Sequence, residues 1–157
     1  MRRTGLALAV IALAAVAAVP ESSARIVPQQ GMRSLTIGMT RQAVKSRLGR
    51  PARAVRGSND FGRYTELHYP RGLRVVLQGD RSVTALVAVT RAERTASGVG
   101  VGSTVAAVRA GVPGVRCGTD ETIRHCHAGS FVPGARVTDF AIRKGRVWRV
   151  TLGIVID

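Results

Sequence analysis

The densest run of chemically capable side chains is "VRCGTDETIRHCHAG", Val115 to Gly129. It holds both cysteines, Cys117 and Cys126, together with His125, His127 and the carboxylate pair Asp120 and Glu121. Two cysteines this close in a short chain point first to a disulfide, provided the compartment is oxidising. Gly118–His125 is then a tied hairpin loop, and closing about ten residues contributes roughly 2.5–3 kcal/mol in the chain-entropy view. A metal site is the rival. On a strand His125 and His127 point the same way while Cys126 points opposite, and an H-x-H pair supplies two ligands of the kind zinc and copper accept. His68 takes the place equivalent to His127 when the two sets of strands are overlaid, which makes it the candidate third ligand. Histidines that face solvent or are satisfied locally are the bland alternative.

Catalysis finds little support. A thiol nucleophile needs a free cysteine beside a histidine base, and the flanking histidines diverge from Cys126 on a strand. Ser103, His68 and Asp139 make a triad only on paper, without a nucleophile elbow or an oxyanion loop. Asp120 and Glu121 fall in the tied loop, where turn chemistry and solvation account for them. "GVGVGS", Gly98 to Ser103, lacks the spacing of a dinucleotide fingerprint. No catalytic residue is assigned, and no cofactor is expected.

These residues need elements to hold them. "GMTRQAVKSRLGRP" predicts a short helix: Thr40 caps it, Val44 and Leu48 share a face, Gly49 lets the chain leave, and Pro51 blocks continuation. "VGSTVAAVRAGVPGV" repeats the pattern 64 residues later with Thr104 as the cap. Alternating strands are predicted at Tyr64–Tyr69, Leu73–Gln78 and Val83–Val89 after the first helix. After the second they fall at Ile123–Ala128, Val137–Arg143 and Val147–Ile156. In the last, Trp148, Val150, Leu152, Ile154 and Ile156 alternate onto one face, so Trp148 reads as a core or edge aromatic. The expected fold is α+β: two tandem repeats, each a short helix followed by a three-stranded antiparallel meander, with the helices on one face of the sheet. The divisions are a leader at 1–24, an N-terminal segment at 25–34, a first repeat at 35–89, a polar connector at 90–98 and a second repeat at 99–157.

The leader reading rests on Arg2 and Arg3, the apolar run Leu6–Val19, and small residues at Ser22 and Ala24. That is the layout of a secretory signal peptide cleaved near Ala24, and the run is shorter than the ~20 residues of a membrane span. The leader holds Arg2, Arg3 and Glu21, which leaves 22 bases and 8 acids over residues 25–157, a net charge of +14. Such a surplus favours acidic partners. Export and the scarcity of aromatics, with Tyr64 and Trp148 the only ones set among arginines, argue against nucleic acid.

The cap–helix–glycine signature "IGMTRQAVKSRLGRP" and its echo "VGSTVAAVRAGV", each followed by a meander, resemble the outer-membrane assembly lipoprotein family (SmpA/OmlA, or BamE). They also resemble the secreted β-lactamase inhibitory proteins. The resemblance implies antiparallel sheet covered on one face by helices, and a binding role without catalysis. The lipoproteins' lipidated cysteine is absent, as is the aromatic-rich interface of the inhibitors, so no inhibitory residue carries over. The expected function is an exported, monomeric, non-enzymatic binder of an anionic cell-envelope component or an acidic protein. The alternatives are a secreted enzyme inhibitor of the β-lactamase inhibitory type and an envelope-assembly accessory. Trp148, Arg149 and Tyr64 are the candidate partner contacts.

Overall fold

The computed structural model describes residues 25–120 and 122–156; the leader with its cleavage point near Ala24, and Glu121, lie outside them. Both helices form where the caps place them. Thr40 Oγ1 accepts from the Ala43 amide at 3.2 Å to start α1 (Arg41–Leu48), and Thr104 Oγ1 accepts from the Ala107 amide at 3.2 Å to start α2 (Val105–Gly111). Gly49 ends α1 at φ 77°, a region that glycine enters without steric cost, with its N–H on the Lys45 carbonyl. Helices this short need docking to persist. Val44 and Val108 are the fully buried side chain of each, and both join one core.

The architecture departs from the expected pair of helix-plus-three-strand repeats. The chain is mostly β. Two-residue strands β1 (Ile26–Val27), β2 (Gly31–Met32) and β3 (Leu35–Thr36) make a small sheet. Four strands, not three, follow each helix: β4 (Arg53–Asn59), β5 (Gly62–Tyr69), β6 (Leu73–Gln78) and β7 (Ser82–Ala88), then β8 (Arg116–Asp120), β9 (Ile123–Ala128), β10 (Arg136–Arg143) and β11 (Arg146–Ile154). All eight form one antiparallel sheet in the order β4-β5-β6-β7-β11-β10-β9-β8. The unexpected strands β4 and β8 are its two edges. Most of their residues are exposed, so they carry no alternating apolar pattern to read.

The seam at the centre is β7 against β11, with Leu86 opposite Leu152 and Ala88 opposite Val150. One face of the sheet carries Leu67, Leu73, Val75, Leu77, Leu86, Phe140, Val150 and Leu152, all buried with the helices' valines. Thr138 is also buried there, and its hydroxyl accepts from the Gln29 amide at 2.7 Å, which ties the N-terminal segment to β10. The other face is largely open. Lys144-Gly145 is a two-residue hairpin turn with positive φ at both residues, and the three-residue turn Gly79–Arg81 takes positive φ at Gly79 and Asp80.

The connector is not merely polar surface. Glu93 is 0% exposed, and its carboxylate meets Arg33 Nε at 2.7 Å. Arg94 O receives the amides of Arg25 and Ile26, each at 2.9 Å. Residues 25–36 are therefore fastened to the segment that joins the two halves of the sheet.

Candidate functional site

The chemistry gathers on the open face of the second half. Alternation along β9 puts His125 and His127 on this face, and Cys126 goes to the core opposite Phe140. The β9–β10 register brings Asp139 directly beside His127. His125 Nδ1 lies 3.0 Å from Asp139 Oδ1, a charge contact whose angle falls short of an aligned hydrogen bond. The His125 and His127 ring centroids are 5.6 Å apart, and Phe131, from the loop after β9, meets His127 edge-on at 4.7 Å. Cys117 and Cys126 are Cα partners of β8 and β9, with their sulfurs 2.07 Å apart, so neither is a free thiol.

Burial pushes the Asp139 carboxyl up, against the opposing pull of His125 and Arg149. Burial, reinforced by His125, pushes His127 down, which keeps its ring neutral at pH 7. The Asp139 shift has a sign that stability measurements read. Between the ordinary carboxylate range and the raised value, the folded chain holds a proton that the unfolded chain has released. Stability falls as pH rises through that window, and the full penalty remains above it. Asp139→Asn is therefore expected to melt above the wild type at pH 7, with the gap closing in acid. A lower melting temperature at pH 7 contradicts this account.

The metal reading of His125 and His127 gains no third ligand. His68 lies on β5, five strand spacings from β9, or roughly 24 Å. It sits instead 2.8 Å from Glu66 Oε1, which Arg74 also approaches at 3.2 Å. Among the described residues, no three His, Cys, Asp or Glu side chains converge as a metal would require.

Trp148 does not take the core position that alternation assigned it. The pairing slips between Ala141 and Ile142, so Val147 opposes Ile142, Arg149 opposes Ala141, and Trp148 is the extra residue of a bulge. Val147 is buried in its place. The half-exposed Trp148 ring lies between two guanidiniums, Arg143 at 4.8 Å and Arg149 at 4.6 Å from its centroid. With exposed Arg143, Lys144 and Arg146, this makes the β10–β11 turn a basic knob built around an aromatic. Among the described residues, no carboxylate comes within 4.0 Å of its bases. Tyr64 is not part of it. That residue lies three strands away on β5, its ring across Gly57 so closely that a Cβ there would fall 2.5 Å from it. Sequence reasoning missed Phe131 and the basic turn as site components. Phe131 had a local signal, a bulky aromatic in the turn-rich "GSFVPG", and at 56% it is the most exposed of the large hydrophobic side chains among the described residues.

No protein-family model matches the chain, and no curated protein does. A crystal structure of a DUF4309 family protein (YjgB) from Bacillus subtilis subsp. subtilis str. 168 is similar at 22% identity, with a TM-score of 0.48, over 78% of this chain and 84% of that one.

Proposed function

We propose that this chain is an exported, non-enzymatic binding protein that engages an anionic cell-envelope polymer or an acidic protein through the β10–β11 turn. The observation that carries the reading is the basic knob: Arg143, Lys144, Arg146 and Arg149 around Trp148, with no carboxylate within 4.0 Å of them among the described residues. Elsewhere the acids are mostly claimed already, Glu93 by Arg33, Asp80 by Arg41, Glu66 by Arg74 and Asp139 by His125. The basic excess therefore faces outward, where it raises the local concentration of anionic partners. The bonded cysteine pair suits an oxidising compartment, and no helix among the described residues is long and apolar enough to cross a membrane.

The test uses residues 25–157 and a poly(glycerol phosphate) polymer immobilised on a sensor. Binding is expected at low salt and should weaken steeply as ionic strength passes about 0.15 M, where screening acts within roughly 8 Å. Replacing Arg143, Lys144 and Arg146 together with glutamine is expected to weaken it by on the order of tenfold or more, since exposed charge pairs contribute ~0.2–1 kcal/mol each. Retention that ignores both salt and the triple substitution refutes the electrostatic reading and favours a packed, inhibitor-like interface.

A further inference from the structure

A second feature lies at the opposite end of the β10–β11 hairpin from the basic turn. It is a hollow of about 230 Å³ on the open face, lined by Phe131, Val137, Gly153, Ile154 and Val155, with Asp139 and Thr151 at its polar end. Val137 is buried although it stands outside the main core. Gly153 opposes Ala85 on one side and Val137 on the other, so the floor between them carries no side chain.

The next cross-strand row holds Thr151, Asp139, His127 and Arg116 side by side, and Arg149 follows two residues along β11. Three polar atoms at this end are buried and have no hydrogen-bond partner, Arg149 Nε, His127 Nδ1 and Asp139 Oδ1. The Asp139 carboxylate is the one acid here, and His125 answers it at 3.0 Å. The Trp148 ring holds the Arg149 guanidinium. An apolar hollow therefore opens beside the unanswered Arg149 N–H, with Arg149 and Arg116 set against one carboxyl, that of Asp139.

We propose that this hollow takes the alkyl tail of a small carboxylate, whose head sits against Arg149, His127 and the Thr151 hydroxyl. Size and charge select that class. The volume is below the roughly 300–1,000 Å³ of sites for drug-sized ligands, so the occupant is small. The one certain unanswered donor at the mouth is the Arg149 guanidinium, and Arg149 with Arg116 outnumbers the single carboxyl of Asp139, so its head is an anion. A peptide adding as a further strand is excluded as the occupant because the strands around the hollow already pair with one another: Gly153 with Ala85 and Val137, and the Val155 amide with the Ala135 carbonyl. The Asp139 carboxyl, pushed up by burial, holds a proton more readily than a free carboxylate and so tolerates an incoming anion better than an ordinary acid would. The two sites share Arg149, but the hollow itself lies away from the turn and does not depend on the reading given to it.

Trp148 is the single tryptophan, so titration of residues 25–157 with octanoate can be followed in its emission. An affinity on the order of 0.1–1 mM is expected for a ligand of about ten non-hydrogen atoms. Octanol, which lacks the charge, and acetate, which lacks the tail, should each bind at least tenfold more weakly. Gly153→Val is the decisive variant. A Cβ at this position meets nothing closer than 3.6 Å, and valine suits a strand better than glycine, so the fold should survive while the hollow fills. Octanoate binding should then drop at least tenfold with the melting temperature held or raised, and poly(glycerol phosphate) binding at the turn should be unchanged. Octanoate binding that survives Gly153→Val overturns the hollow as the site. Octanol binding as well as octanoate overturns the carboxylate head.

Discussion

Arg33→Met is expected to destabilise the protein by about 3–5 kcal/mol, the cost of leaving a buried charge without its partner. Glu93 has no exposed surface, and Arg33 Nε at 2.7 Å is its one close cation among the described residues. Both carboxylate oxygens otherwise lack hydrogen-bond donors, so nothing nearby can replace the guanidinium. Methionine keeps the length of the side chain and removes the charge. It also tolerates the local backbone no worse than arginine does, since φ is 51° whichever side chain is present. Urea unfolding at pH 7 measures the loss. The partner test is the double substitution Arg33→Met with Glu93→Leu, which exchanges an ion pair for packed apolar groups. It should recover to within about 1 kcal/mol of the wild type. A single-variant loss below about 1 kcal/mol would mean that water reaches Glu93.

The pair was invisible in the sequence for a physical reason. Arg33 and Glu93 are 60 residues apart, and "TRAERTASG" has the composition of a solvated connector. Nothing local shows that residues 25–36 fold back onto it through Arg94 O. What was legible depended on short-range physics. Thr40, Thr104 and Gly49 act within one helical turn, and both helices start at the residue after the threonine. Strands β6 and β9 run over the residues that alternation marks, Leu73–Gln78 and Ile123–Ala128, because each is covered on one face and open on the other. Edge strands β4 and β8 bury too little to show a period, and missing them turned one eight-stranded sheet into two small meanders.

The site divides along the same line. That His125 and His127 share a face follows from the two-residue period of any strand. That Asp139 joins them depends on the β9–β10 register across the loop at residues 129–135, which pattern alone does not set. Trp148 shows the limit most plainly. The run "WRVTLGI" alternates well in sequence, yet a single extra residue at the bulge moves Trp148 out of the core and into the gap between Arg143 and Arg149. The feature that now carries the proposed function was therefore hidden by the regularity of its own strand.

Phe140→Ala is expected to cost about 3–5 kcal/mol, the usual loss when a buried phenylalanine leaves a cavity. Its side chain has 0% exposure and stands opposite Cys126 on one neighbouring strand and Val150 on the other. It thus fills the core beneath the half of the sheet that carries the candidate site. Against a total stability of ~5–15 kcal/mol, such a loss approaches the limit for a domain this small. Phe140→Leu, which keeps most of the volume, should cost under about 1.5 kcal/mol. Phe131→Ala removes the same ring from the open face, where it is 56% exposed, and should change stability by no more than about 0.5 kcal/mol. It should instead weaken octanoate binding, because Phe131 lines the hollow. Denaturant midpoints with an unchanged slope read the stabilities of all three variants. If Phe131→Ala proved as costly as Phe140→Ala, the loop after β9 would be a structural cover, and the second hydrophobic surface of the sheet would belong to the core instead of to a ligand.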